Sequence, residues 1–202
     1  MTLASIGKKL LRIAPAAIAI VLATIATGCS AGCSASISIG SHKTGGTYSD
    51  HGVSFKIPDG WRRMSEKTVQ TKTGSELWSE SFGAVSGYDL VGVTAYATKV
   101  VITQKNSERN APRAAAAVEN LFASAGGSVV SGPTVVTMRG MAGYRFETTF
   151  PGQSGAMLDS QLLLVWNGRT EYFFNCQYRT NGSRSAEIKR GCKTIESTFK
   201  LD

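Results

Sequence analysis

Nucleophilic catalysis by a serine needs a base, and the chain contains two histidines, His42 and His51. His42 lies in a Ser/Gly-rich stretch, which cannot hold an imidazole to catalytic tolerance. His51 precedes the first alternating hydrophobic stretch and is expected in an exposed turn; a weak hydrolase would have to pair it with a serine and a carboxylate. Ser154, in Gly152-Gln153-Ser154-Gly155, lacks the Gly-x-Ser-x-Gly spacing of a nucleophile elbow and falls in a hairpin loop. Ser197 and Lys200 have Ser-x-x-Lys spacing without the partner motifs that give it meaning. No zinc-ligand grouping, EF-hand loop or carboxylate cluster is written in the chain. The pairs Gly45-Gly46 and Gly126-Gly127 do not open a helix as a phosphate cradle does. The expectation is therefore no catalytic set, no metal and no cofactor.

The four cysteines are more informative. Met1 to Arg12 is short and basic, with Lys8, Lys9 and Arg12, and the apolar run IAPAAIAIVLATIA follows at 13–26 without a charge, the order of a secretory signal. That run of 14 residues is shorter than the ~20 that cross a bilayer as a helix. Ala26-Thr27-Gly28-Cys29, directly at its end, looks like a bacterial lipobox, in which the cysteine is diacylated and becomes the first residue of the mature chain. Two acyl chains give a stable anchor where one binds only marginally. Ser30-Ala31-Gly32-Cys33 offers a second frame, and a small Cys29–Cys33 disulfide in an ordinary secreted protein is the other alternative.

Toward the C-terminus, Cys176 alternates with Tyr172, Phe174 and Tyr178 on one strand face, while Cys192 shares a helix stripe with Ile188, Ile195 and Phe199. Both thiols then point into one layer, and an exported context predicts a Cys176–Cys192 disulfide worth ~3 kcal/mol in the chain-entropy model. A reduced core pair is the alternative.

Composition sets the frame for these sites. The chain has 202 residues, 42% hydrophobic and 18% charged, which suits one globular domain and neither a disordered chain nor a multispan membrane protein. Net charge is +8, three positives of which precede the apolar run. The remainder, without a polybasic block or an aromatic-interleaved stripe, does not point to nucleic acid. Arg184, Lys189, Arg190 and Lys193, around the last helix, could meet an anionic surface, although charge runs are usually solvated faces.

These features divide the chain into a signal segment (1–28), a lipidated Cys29 with a Ser/Gly-rich tether (29–46), and one folded domain (47–202). In the domain, Val53, Phe55 and Ile57 form one face of a strand closed by Pro58-Asp59-Gly60, with Pro58 at the first central position of the turn and Trp61 folding back into the core. The stretches 77–82 and 91–102 predict two more strands. A helix capped by Ser107 or Asn110, with Pro112 just inside it, runs to Gly126-Gly127. Strands at 128–138, 143–150, 157–166 and 171–178 then make a meander, with Asn167-Gly168 at its last hairpin. Asn181-Gly182-Ser183 matches a glycosylation sequon but reads as the turn into the final helix, which starts near Arg184.

Phe55-Lys56-Ile57-Pro58-Asp59-Gly60-Trp61 at the first strand, Arg139-Gly140-Met141-Ala142-Gly143-Tyr144 in mid-chain and Ile195-Glu196-Ser197-Thr198-Phe199 at the end together resemble the PsbP-like, LpqN and DcrB group of exported domains. The paired cysteines look like the version found in actinobacterial lipoproteins. The resemblance covers about residue 48 to the C-terminus and implies an α+β sandwich, an antiparallel sheet with helices packed on it. It also implies a binding or assembly role without shared catalytic residues. The expected function is a membrane-anchored, extracytoplasmic lipoprotein acting as a non-enzymatic binding or assembly module of the cell envelope. Its expected partners are the membrane, through the anchor, and an envelope protein or small apolar ligand. The alternatives are a weak hydrolase of envelope lipids or glycolipids and a purely structural surface lipoprotein.

Overall fold

The computed structural model describes residues 45–64, 76–84, 88–152 and 155–202. The signal segment, Cys29, Cys33, His42, Ser154 and nearly all of the expected tether lie outside these residues.

β1 (Gly46–Asp50) and β2 (Val53–Ile57) form a hairpin whose two turn residues, His51 and Gly52, have φ of 54° and 71°. Positive φ at both central positions is the turn that matches strand twist in a two-residue hairpin. Pro58 starts the next turn instead of sitting at its centre: its carbonyl accepts from the Trp61 N–H at 3.0 Å, and Gly60 takes φ of 80°. Asp59 thus occupies the first central position, and Gly60 the position that needs positive φ. β3 (Arg62–Met64), β4 (Glu76–Gly83) and β5 (Leu90–Ala97) follow as antiparallel neighbours. β5 stops at Ala97, short of the expected 102, because the chain turns away over the sheet end and Ile102 becomes core.

α1 (Ser107–Ser124) starts earlier than the capping residues suggest, and Pro112 falls in its second turn. The reason lies in Asn106, whose side chain accepts from the Thr103 N–H and donates to the Val101 carbonyl, pinning the 98–106 loop so that the helix begins at the next residue. β6 (Ser128–Met138), β7 (Met141–Pro151), β8 (Met157–Asn167) and β9 (Thr170–Arg179) form the meander. α2 (Ser185–Thr198) and β10 (Lys200–Leu201) close the chain.

The strands make an antiparallel seven-stranded sheet in the order β3-β4-β5-β9-β8-β7-β6 and a separate three-stranded one, β1-β2-β10. Strand alternation sends side chains to opposite faces of the large sheet. Leu163, Val165, Tyr172, Phe174 and Cys176 meet α2 and the small sheet, while Leu162, Leu164, Trp166 and Phe173 meet α1. The result is an α+β sandwich with two apolar layers. The small sheet adds an element that the meander pattern alone does not announce.

The layer under α2 depends on one close approach. Trp61 is 1% exposed, and a Cβ at Gly191 would stand 2.3 Å from two of its indole carbons. Gly191 therefore lets the helix backbone lie directly on the ring, a use of glycine that helix propensity alone opposes.

Candidate functional site

Cys176 and Cys192 are joined as a disulfide between β9 and α2, with Cα atoms 6.0 Å apart and both residues buried. Arg139-Gly140 is the β6–β7 hairpin turn, with φ of 52° and 83°, and the Arg139 guanidinium donates to the Ser197 carbonyl at the end of α2. Gly143 lies against the Leu164 carbonyl, where a Cβ would come within 1.9 Å, and the Tyr144 hydroxyl donates to the Ser107 carbonyl at 2.7 Å. The mid-chain motif is thus a structural device that fastens both helices to the central strands.

His51 meets the Asp50 carboxylate at 3.8 Å and stacks on Trp78 with ring centroids 5.3 Å apart. Its side chain is 40% exposed at the hairpin tip. Ser197 is exposed and donates to the Thr194 carbonyl one turn back.

The four cations around α2 divide into two kinds. Arg184 forms a paired contact with Glu187 at 3.0 and 2.8 Å, which holds the Glu187 carboxyl below its ordinary range, and the Trp61 indole N–H also donates to that carboxylate. Lys189, Arg190 and Lys193 are exposed on one side of the helix. The Lys189 ammonium stands over the Tyr178 ring, 5.0 Å from its centroid. Glu196, the other acid of α2, is bound by Arg145 at 2.8 Å.

A cleft of about 400 Å³ lies between the C-terminal half of α1 and the outermost strand β6, with Glu119, Ala123, Val129, Val130 and Ser131 on its walls. β6 contains no charged residue over its 11 positions, and Val130 is 64% exposed there. An uncharged strand at a sheet edge offers unpaired backbone groups to an added chain. The Gly132–Pro133 peptide and two register shifts interrupt the ladder, so the regular part of the edge is its C-terminal portion.

Glu171 is the feature the sequence reading missed. It stands beside Tyr96 and Trp166 in register, on the α1 face, 1% exposed, and neither carboxylate oxygen nor the Trp166 indole N–H has a hydrogen-bond partner. Burial alone pushes its carboxyl up to about 8. In sequence it follows a hairpin turn and reads as a solvated strand end. The signal available was its phase, shared with Phe173, and it lies between the buried Tyr96 and Trp166 of the neighbouring strands.

No family model and no curated protein matches this chain. Among solved structures, the cyanobacterial PsbP of Synechocystis, CyanoP, is similar at 16% identity with a TM-score of 0.52, covering 86% of this chain and 98% of that one. The chain has a PsbP-like fold. LpqN of Mycobacterium tuberculosis, described as involved in cell envelope biogenesis, aligns at 9% identity and a TM-score of 0.45 over 78% of this chain and 88% of that one. A Bacteroides thetaiotaomicron protein aligns at 12% identity and a TM-score of 0.46 over 75% of this chain; the chain spans 45% of that protein's length. At 16% identity the likeness to CyanoP concerns the fold alone. Among the described residues no helix is long and apolar enough to cross a membrane, and no group of three or more His, Cys, Asp or Glu side chains could hold a metal ion.

Proposed function

We propose that this protein is exported, anchored by acyl chains on Cys29, and serves as a non-enzymatic binding or assembly module of the cell envelope. The observation that carries the reading is the buried disulfide between β9 and α2, since such bonds form and persist in oxidising compartments outside the cytoplasm. The basic segment, apolar run and Cys29 supply the route to that compartment, and the anchor. The α1–β6 cleft supplies a binding surface suited to a small apolar ligand, and the regular C-terminal part of the uncharged β6 edge one suited to an extended segment of an envelope protein.

Mass spectrometry of the protein extracted from its host in detergent, native and then denatured, tests this reading. The expected covalent mass is that of the chain from Cys29 with diacylglyceryl attached, two hydrogens lighter for the disulfide. An adduct lost on denaturation identifies a small ligand, whereas its absence favours assembly with a protein. A chain that retains residues 1–28, lacks acyl groups or carries both thiols reduced overturns the reading.

A further inference from the structure

We propose that the exposed stripe of α2 is the face this protein turns toward its membrane, with Lys189, Arg190 and Lys193 against anionic lipid headgroups. The inference rests on anchoring at Cys29 and adds an orientation to it. Ala186, Lys189, Arg190, Lys193 and Ser197 fall at helical spacing and are all exposed, so they form one stripe. Of the two acids of the helix, Glu187 lies off that stripe and Glu196 at its edge, and both are already engaged, Glu187 by Arg184 and Glu196 by Arg145. The outer face of α2 is thereby left cationic, a charge complement to an anionic surface.

The second observation is where the preceding chain joins the domain. The Gly45 N–H donates to the Trp61 carbonyl at 2.8 Å, and the Trp61 ring lies against Gly191, the residue between Arg190 and Cys192. The segment leading back to Cys29 therefore joins on the α2 side of the large sheet, next to exposed Arg62 and with the Asp59 carboxylate at the same turn. Cys29 is 16 residues before Gly45 in the sequence, so chain length alone ties the acylated residue to this side of the domain. An anchor attached on this side of the large sheet favours turning the α2 side, and not the α1 side, toward the headgroup layer. α1 and the 98–106 loop are on the opposite side of the large sheet and face away.

Each Lys or Arg near an anionic bilayer contributes about a five-fold preference, so three favour this orientation on the order of a hundredfold before screening. The test uses the mature lipidated protein in nanodiscs of phosphatidylcholine alone or with phosphatidylglycerol, with amine labelling read by mass spectrometry. On the anionic discs Lys189 and Lys193 should label at least five-fold more slowly than on neutral ones, while Lys99 and Lys105, exposed on the far side, are unchanged. High salt should abolish the difference, and Arg190→Gln, which leaves both reporter lysines in place, should reduce it about five-fold. Equal labelling on the two disc types with Cys29 acylated overturns the orientation and leaves the anchor standing. A soluble polyanion that protects the same lysines equally well without lipid overturns the lipid as partner. Intact mass of the same sample reads the anchor separately, and an unacylated chain overturns both.

Discussion

Replacing Glu171 by glutamine should strongly change how the stability of this domain depends on pH. The carboxyl is 1% exposed without a partner on either oxygen, and burial lifts it from an ordinary value of 4.5 to about 8. Below the ordinary value both the folded and the unfolded chain hold the proton, and the group is indifferent to folding. Between 4.5 and about 8 the unfolded chain releases the proton while the folded chain keeps it, so each pH unit lowers folding stability by about 1.4 kcal/mol. Across the window the loss is about 5 kcal/mol, a large share of the ~5–15 kcal/mol typical of a domain. Above it both states are ionised and the contribution is flat. Tyr96, the cross-strand neighbour, is itself pushed upward by burial and does not titrate in this range. Glutamine keeps the shape and carries no titrating proton. Urea unfolding followed by circular dichroism at pH 5, 6, 7 and 8 should therefore show the stability of Glu171→Gln pulling ahead of the wild type by about 1.4 kcal/mol per unit. Parallel curves for the two proteins would refute the argument, because they would mean that Glu171 is ionised or solvated in the folded state.

Gly191→Ala places a methyl group against the rigid Trp61 ring, and overpacking of about 1–3 kcal/mol should outweigh the ~1 kcal/mol gain in helix propensity. A variant at least as stable as the wild type in urea would contradict the close approach. Reducing Cys176–Cys192, or replacing both residues with alanine, should lower stability by about 3 kcal/mol without shifting the far-UV spectrum of the folded state; an unchanged urea midpoint would show that the cross-link contributes nothing. Arg139→Ala removes the guanidinium that donates to the Ser197 carbonyl at the end of α2 and should lower stability by about 1 kcal/mol, with faster amide exchange confined to residues 195–199 as the local signature.

The layer beneath α2 was legible from two periodicities meeting. Tyr172, Phe174, Cys176 and Tyr178 recur at every second position and Ile188, Cys192 and Ile195 at helical spacing, so the sequence itself aims both thiols into one core. The four-strand meander was readable for the same reason, because Gly and Asn punctuate long β-branched and aromatic runs. β3 and β10, three and two residues long, carry too few positions to show a period and exist only because a neighbouring strand receives them. The start of α1 was misplaced because Ser107 and Asn110 both resemble caps, whereas Asn106 fixes the boundary by bonding backward into the loop. Gly191 and Glu171 were invisible as sites for a common reason: each is defined by its neighbours in space, the Trp61 indole in one case and the buried Tyr96 and Trp166 in the other. On the functional side, the cation stripe could be read as a set of charges. Which cations are free depends on Glu187 and Glu196 being held by Arg184 and Arg145, a matter of geometry.

The central claim, that Cys29 carries the anchor, is met most directly by metabolic labelling of the host with an alkyne palmitate, followed by membrane fractionation of the wild type, Cys29→Ser and Cys33→Ser. Label is expected on the membrane-bound wild type and on Cys33→Ser, and none on Cys29→Ser. Label that persists in Cys29→Ser, or a wild-type protein that is unlabelled and released from the membrane fraction, would contradict it.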